Sequence, residues 1–224
     1  MSAEEHRTAT DSIVVIGLGR FGGAVAQSLA RLGHEVLAID ENLDLVQRWS
    51  DHLTHVVQAD STDADTLRQL GVAGFDRAVV GIGSDIEASV LTVLALEELG
   101  VEDIWAKAIS DKHARILERT GAHHVIRPEA AMGERVAHLV TGKMIDFIAF
   151  DDGFAIAKTK APRQAWGVTL SESALRSKHG VTVVGIKRDR SDFMYAKPDS
   201  IVERGDILIV SGPTAAVERF AAAT

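Results

Sequence analysis

Six short apolar runs alternate with helical patterns over the first half of the chain, and this alternation limits the possible folds more than any other feature of the sequence. The runs are SIVVIG, EVLAID, HVVQAD, RAVVGIG, DIWAKAI and HHVIRP, which begin roughly 20 to 25 residues apart. Strands that are apolar throughout are buried on both faces, as in a parallel sheet that is covered by helices. The pattern therefore predicts a doubly wound α/β sheet over residues 12–128, preceded by a flexible polar segment at residues 1–11.

Apolar residues at helical spacing follow the sixth run. They recur through residues 129–150 at Met132, Val136, Leu139, Val140, Ile145, Phe147 and Ile148. We predict helices in this segment, which either pack against the sheet or form a crossover or a subunit interface.

The pattern changes again over residues 151–224. Short strand-like runs, FAIAKTKAP, VTVVGIKRD, FMYAKP and DILIVSGP, precede a final helical stretch, AAVERFAAA. This order predicts a second, small α+β domain with antiparallel hairpins.

The composition excludes several functions. Acidic residues outnumber basic residues by 32 to 24, which disfavours a nucleic-acid partner because phosphate binding requires a basic surface. The chain has no cysteine, so disulfides, thiolate metal sites and cysteine nucleophiles are excluded, as fits a reducing cytosol. No apolar run approaches the roughly 18 residues that a membrane-spanning helix needs, so we expect a soluble chain that meets a membrane only through a partner.

The segment VVIGLGRFGGAV joins the first run to the first helical pattern and contains a GxGxxG turn. Gly17 permits the tight turn, Gly19 lets backbone amides approach a phosphate, and Gly22 lets the helix pack closely on the strand. Asp40 ends the next strand, where a carboxylate accepts hydrogen bonds from ribose hydroxyls and disfavours the 2′-phosphate of NADP. Together these residues predict a Rossmann-type nucleotide site at the positive end of the helix.

Arg20 stands inside this turn and adds a positive charge where helix amides already bind two phosphates. Its guanidinium can reach a third phosphate, and Lys107 on a neighbouring strand can assist. Alternatively, Arg20 is solvated, stacked on the cofactor or paired with a glutamate. The turn is therefore compatible with NAD and with a nucleoside di- or triphosphate.

Further candidate residues lie in the turn or follow the strands at their carboxyl ends, where open α/β sheets bind ligands. They are Phe21, Asp60, Ser61, Ile82, Gly83, Lys107 and Glu129. We expect Asp60 and Ser61 to meet a base, and Ile82 and Gly83 to lie beside the phosphate turn. Elsewhere the chain shows no nucleophile with a base and an orienting residue and no histidines at metal-ligand spacing, so the sequence predicts binding rather than catalysis.

Several long stretches resemble one family. They are VVIGLGRFGGAVAQSLARLGHEVLAID, VVGIGSDIEASVLTVLALEELGV, IWAKA and IRPEAAMG. They resemble the RCK (KTN) regulatory subunits of bacterial potassium uptake systems, in the KtrA branch of the TrkA/KtrA group, and the resemblance covers nearly the whole chain from Ser12. It implies a cytoplasmic protein at the inner face of the plasma membrane, whose homodimers assemble into an octameric gating ring beneath a KtrB-like membrane potassium channel subunit.

The resemblance also implies ligands for the first domain. ATP would favour the conducting state and ADP the closed state. Arg20 would meet the terminal phosphate of ATP, and Lys107 would meet a neighbouring phosphate. Asp40 would bind the ribose, and Asp60 and Ser61 would lie near adenine. Glu129 would help to hold a divalent cation, such as Mg²⁺ or Ca²⁺, between the nucleotide sites of adjacent subunits.

The stretch TLSESALRSKHGVTVVGIKR resembles RCK_C domains that bind cyclic di-AMP across a dimer interface. This resemblance assigns Arg176 to a phosphate and places His179 and Gly180 in the adjoining turn. Three apolar residues would enclose the base: Leu170, Leu175 and Val181. A basic helix end that complements its own dipole explains Arg176 equally well.

Two other functions stay open for the chain, a TrkA-type NAD(H) sensor and a small NAD-dependent oxidoreductase.

Overall fold

The computed structural model describes residues 12–140, 144–150, 152–189 and 191–224. The segment 1–11, predicted to be flexible, lies outside the described residues. The chain divides into two compact units, of which the first ends at Glu129 and the second begins at Ala130.

The first unit alternates strands and helices in the predicted order. Its elements are β1 (Ser12–Ile16), α1 (Arg20–Arg31), β2 (Glu35–Asp40), α2 (Leu43–Ser50), β3 (His55–Gln58), α3 (Ala64–Gln69), β4 (Arg77–Val80), α4 (Ile86–Glu98), β5 (Asp103–Lys107), α5 (Asp111–Arg119) and β6 (His124–Ile126). The strands pair in parallel in the order β3-β2-β1-β4-β5-β6. The prediction of a doubly wound parallel sheet is confirmed.

The central strand β1 shows why the apolar runs form this sheet. Ile13 and Val15 enter one buried cluster, while Val14 and Ile16 enter another on the opposite face. Burial on both faces requires helices on both sides of the strand, which the β-α-β connections supply. The sheet therefore brings the carboxyl end of β1, and the turn that follows it, to the edge where such sheets bind ligands.

The second unit is built on an antiparallel sheet. Helix α6 (Pro128–Val140) runs across the boundary at Glu129, and the further elements are β7 (Met144–Ala149), β8 (Phe154–Lys160), α7 (Leu170–Ser173), α8 (Leu175–His179), β9 (Thr182–Lys187), β10 (Phe193–Tyr195), β11 (Ile207–Pro213) and α9 (Thr214–Ala222). The strand order is β10-β9-β11-β8-β7. Phe220 of α9 is fully buried in the core of this unit, beside Val210 of β11. This architecture confirms the predicted small α+β unit.

The prediction of helices through residue 150 is wrong for its last part. Helix α6 ends at Val140, and Met144–Ala149 is a strand that pairs with β8. A short apolar run fits a buried strand as well as a helix, because periodicity alone does not separate the two. Here Phe147 points into the core of the second unit while its neighbours complete the sheet, so tertiary pairing decides the outcome.

Candidate functional site

The glycine-rich turn has the backbone geometry that a phosphate site needs. Gly17 has a φ of +88°, which side-chain-bearing residues rarely adopt, and a Cβ at Gly22 would collide with the carbonyl oxygen of Gly17. Helix α1 begins at Arg20, and its N-cap, Gly19, offers no side chain to the first amides. The first turn of α1 also carries no acidic residue. The helix therefore presents uncapped N–H groups and the positive end of its dipole to an anion.

Both backbone groups of Leu18, the residue between the first two glycines, have side-chain partners. The N–H of Leu18 donates to Oδ2 of Asp40 at 2.5 Å, and the indole N–H of Trp49 donates to the carbonyl of Leu18 at 2.9 Å. The Trp49 ring lies directly against Gly23 of α1, since a Cβ at Gly23 would collide with it. Sequence reasoning missed Trp49; the glycine pair Gly22-Gly23 was the signal that a large group packs there.

Asp40 differs in part from its sequence-based assignment. Both of its carboxylate oxygens already accept backbone N–H groups, Oδ2 from Leu18 and Oδ1 from Asn42 at 2.8 Å. The side chain is buried at the end of β2. Asp40 therefore positions the turn, and only the lone pairs that these bonds leave free can accept from a ribose.

Lys107 lies close to three other candidate residues: Glu129, Phe21 and Gly83. Its Nζ lies 2.6 Å from Oε1 of Glu129 and 5.7 Å from the ring centroid of Phe21. It is also 3.4 Å from the position that a Cβ would take at Gly83. The Lys107 side chain is 12% exposed, whereas that of Glu129 is 65% exposed. The buried strand thus holds a cation beside the turn, and the carboxylate that faces it stays open to solvent.

The charge of Glu129 follows from these neighbours. The hydrogen bond from Lys107 lowers the pKa of Glu129 most, and the backbone N–H at the start of α6 and the charges of Lys107 and Arg20 lower it further. The carboxylate is therefore ionised at neutral pH. An ionised carboxylate beside a phosphate site repels a bound polyphosphate unless a cation lies between them.

Asp60 and Ser61 are engaged within the protein. Oδ1 of Asp60 accepts from the backbone N and from Oγ1 of Thr62, at 2.9 Å and 2.7 Å. Ser61 is buried, and its hydroxyl is hydrogen bonded to Thr92 of α4 at 2.9 Å. The placement of Asp60 and Ser61 near a base stays a prediction, and the structure shows that the Ser61 hydroxyl has a partner inside the protein. Ile82 does lie against Gly17, beside the turn.

The candidate residues of the second unit separate into two groups. Leu175 and Val181 are 2% and 1% exposed and belong to the core. Neither offers a surface that could enclose a base, so this expectation from the resemblance is wrong for both residues. The reason is that α8 packs against both α9 and β9, and Val181 lies against Gly212 of β11. Arg176 and Gly180 are exposed, and His179 is hydrogen bonded to Gln164 at 2.8 Å. Leu170 is half-buried at the edge of this core.

Within residues 12–140, 144–150, 152–189 and 191–224, no group of three or more His, Cys, Asp or Glu side chains is arranged to hold a metal ion. None of the helices in the described part of the chain is long and apolar enough to cross a membrane.

Comparisons with known proteins connect both units to one family. The TrkA-N domain family matches residues 13–128, and the TrkA-C domain family matches residues 161–224. The chain belongs to the TrkA/Ktr family. This TrkA/Ktr chain is 38% identical over 207 residues to Ktr system potassium uptake protein C of Bacillus subtilis (strain 168), a match that spans 92% of this chain and 94% of the relative. It is 35% identical over 215 residues to Ktr system potassium uptake protein A of the same organism, with 96% and 97% covered.

A solved structure supports the TrkA/Ktr fold. The GsuK channel bound to NAD has a TM-score of 0.65 and 18% identity to this chain and covers 96% of it. The same channel has also been solved bound to ADP, with a TM-score of 0.50, 19% identity and 59% of this chain covered. The TrkA/Ktr chain spans 40% and 35% of the length of these two channel chains. At this identity the likeness shows the fold alone.

Proposed function

We propose that this chain is the nucleotide-gated regulatory subunit of a bacterial potassium uptake system and that ATP and ADP compete for the turn of the first unit. The Ktr relatives, named for potassium uptake and matched over nearly their whole length, support the first part. The uncapped start of α1 supports the second part, because its free N–H groups and the positive end of the helix dipole attract phosphates.

The observation that carries the choice of ATP is the ion pair of Lys107 and Glu129 at the mouth of the turn. Helix amides are sufficient for two phosphates, yet Arg20 and Lys107 add two cations. A third phosphate would take the place of Glu129 as the partner of Lys107. The displaced carboxylate and the phosphate would then share a divalent cation such as Mg²⁺ or Ca²⁺.

Such a site discriminates between ATP and ADP through the terminal phosphate. A ligand shifts a conformational equilibrium only by its difference in affinity for the two states. The phosphate that only ATP carries must therefore make the state-dependent contacts, and Arg20, Glu129 and the cation are the groups within its reach. We propose that ATP favours the conducting state and ADP the closed state.

NAD(H) is the second candidate ligand, because the GsuK channel has been solved bound to NAD. The same turn and Asp40 fit its pyrophosphate and ribose. In that case the protein is still a regulatory subunit, and Arg20 binds solvent or stacks on the cofactor. An oxidoreductase is disfavoured, because the relatives are named for potassium uptake and the sequence shows no recognisable motif of a nucleophile with a base and an orienting residue.

We propose that the subunit forms homodimers and an octameric ring that docks on a membrane potassium channel subunit, and thereby lies at the inner face of the membrane. Helix α6 buries none of its residues and exposes Met132, Val136 and Val140, which recur every four positions. On the sheet, Trp105 is exposed and stacked on His124 at 4.1 Å. Apolar surfaces of this kind are typical of contacts between identical subunits.

For the second unit we propose cyclic di-AMP as the ligand of the surface that carries Arg176, His179 and Gly180. The exposed guanidinium of Arg176 suits a phosphate. Since Leu175 and Val181 are buried, Leu170 and groups of a second subunit would supply the apolar contacts to the base.

Calorimetric titration of the full chain with ATP, ADP, NADH and cyclic di-AMP, each with and without Mg²⁺ or Ca²⁺, tests this function. We expect ATP and ADP to bind at one site and the cation to tighten ATP alone. If NADH is the only ligand of the first unit, Arg20 does not bind a terminal phosphate and the protein is an NAD(H) sensor. If none of the nucleotides binds, the proposal is wrong.

A further inference from the structure

The second unit contains a cavity that shares only His179 with the sites assigned above. It has a volume of about 610 Å³ and lies among the segment that follows β8, the end of α8 and the residues that follow α9. Its lining includes Lys160, Arg163, Gln164, Trp166, His179 and Asp206. A cavity of this size accommodates a small organic molecule.

The charged side chains of the lining are two cations, Lys160 and Arg163, and one carboxylate, Asp206. Within the described ranges 12–140, 144–150, 152–189 and 191–224, the side chains of Lys160 and Arg163 form neither an ion pair nor a hydrogen bond. The one carboxylate named above, Asp206, is already neutralised by Arg188, whose Nε and Nη2 each donate to it at 2.9 Å. The lining therefore offers two cationic side chains that have no side-chain partner at one concave surface.

Backbone and side-chain hydrogen bonds shape this cavity before any ligand enters. The N–H of Ala161 donates to the carbonyl of Asp206 at 2.8 Å, and the indole N–H of Trp166 donates to the carbonyl of Ala161 at 3.0 Å. The guanidinium of Arg204 lies 5.7 Å from the ring centroid of Trp166. A fixed indole beside free cations is an arrangement that binds a flat, negatively charged molecule at low cost in conformational entropy.

The amide of Gln164 and the imidazole of His179 form the hydrogen-bonded pair described above, and both line the cavity. The ring of His179 also packs edge-on against Phe220 at 5.2 Å, so the core of the unit holds this wall in place. Arg176, by contrast, is not part of the lining. The cavity shares His179 with the surface assigned to cyclic di-AMP, and substitution of Arg176 tests that surface alone.

We propose that this cavity binds a small organic oxyanion, a phosphate or a carboxylate attached to a flat apolar group. Lys160 and Arg163 bind the oxyanion through charge-assisted hydrogen bonds, and Trp166 contacts the flat group. The site goes beyond the nucleotide function and does not depend on the turn of the first unit. Phosphates and carboxylates share the chemistry that these two cations recognise, so the probes must separate them.

The test is calorimetric titration of the full chain with phenyl phosphate, benzoate and phenol. We expect at least one of the two anions to bind at one site per chain and phenol not to bind. The anion that binds more tightly then identifies the ligand class as a phosphate or a carboxylate. The double variant Lys160→Gln/Arg163→Gln should weaken the binding by about tenfold or more. Arg219→Gln, which removes an exposed cation of α9 outside the lining, is the matched control and should bind like the wild type.

The variant Arg176→Gln separates this proposal from the one for cyclic di-AMP. It should leave the binding of phenyl phosphate and benzoate unchanged, whether or not cyclic di-AMP binds. The proposal is overturned if neither anion binds, if phenol binds as tightly as the anions, or if the double variant and Arg219→Gln bind alike. All the substituted side chains are exposed, so we expect each variant to fold like the wild type. Urea unfolding of each variant checks this.

Discussion

Asp40 and Trp49 bind the two backbone groups of one residue, Leu18. The carboxylate of Asp40 accepts the N–H of Leu18 at 2.5 Å, and the indole of Trp49 donates to the carbonyl of Leu18 at 2.9 Å. Leu18 lies between Gly17 and Gly19, the first two glycines of the turn. Strand β2 and helix α2 therefore fix the turn before a nucleotide arrives, which lowers the conformational cost of binding.

Asp40→Asn tests the first of these bonds. The amide keeps the shape of the carboxylate but has a single acceptor oxygen, so the N–H of Leu18 or of Asn42 loses its partner. We expect the free energy of unfolding to fall by about 1–3 kcal/mol, measured by urea unfolding. Asp51→Asn, which alters an exposed carboxylate at the end of α2, is the control. Equal stability of the two variants would contradict the role given to Asp40.

Trp49→Phe tests the second bond. The phenyl ring still packs on Gly23, but the carbonyl of Leu18 loses its donor. We expect ADP to bind about threefold to tenfold more weakly while the affinity for adenosine stays the same, because only the phosphates depend on the turn. Trp166→Phe, which removes the equivalent bond to Ala161 in the second unit, should change neither affinity. A parallel loss for ADP and adenosine would mean that Trp49 is merely structural.

Arg20→Ala should weaken ATP by about tenfold and ADP by less, because a charge-assisted contact with the terminal phosphate is available to ATP only. Calorimetric titration gives both affinities. Arg31→Ala, at the other end of the same helix, is the matched control and should bind both nucleotides normally. Equal losses for ATP and ADP would rule out a contact with the terminal phosphate.

Glu129→Gln should abolish the tightening of ATP binding by Mg²⁺ or Ca²⁺ and should not weaken ATP in the absence of the cation. The reason is that the neutral amide no longer needs a cation between itself and the phosphates. Glu134→Gln, an exposed glutamate further along α6, is the control for titrations with and without the cation. An undiminished cation response in Glu129→Gln would show that the cation binds elsewhere.

Asp206 makes the second unit sensitive to acid. Burial alone would raise the pKa of Asp206, but the hydrogen bonds from Arg188 and from the backbone N–H of Glu203, together with the charge of Arg188, lower it below its usual value. The ionised form therefore stabilises the folded state. This contribution is complete above the pKa of an unfolded aspartate and is lost as the pH falls through the lower pKa of the folded state.

Asp206→Asn should accordingly reduce the free energy of unfolding by about 3 kcal/mol near neutral pH and by much less in acid. Glu203→Gln is the matched control, because Glu203 binds the same arginine from an exposed position and should contribute about 0.5 kcal/mol. Urea unfolding at both pH values measures the difference. Equal acid sensitivity of wild type and Asp206→Asn would show that another group is responsible.

Local patterns in the sequence were sufficient for the parallel sheet, the turn and the family. The reason is that each depends on residues close in sequence: a strand buried on both faces reads as an apolar run, and the turn needs glycines at fixed spacing. The direct contact of Lys107 with Glu129 and Phe21 also follows the predicted topology, since parallel strands bring their carboxyl ends to one edge. The nucleotide roles of these residues remain predictions.

The sequence alone therefore determined the fold class and the location of the nucleotide turn, and the tertiary structure decided which partners each polar group takes. Trp49 is 31 residues from Leu18, and Thr92 is 31 residues from Ser61, so no local pattern reveals either bond. Likewise, pairing with β8 makes Met144–Ala149 a strand, and Leu175 and Val181 are buried in the core of the second unit rather than exposed at its surface. The physical reason is the same in each case: a buried polar group or apolar face must be satisfied by whatever the fold brings next to it, and that neighbour is distant in the chain.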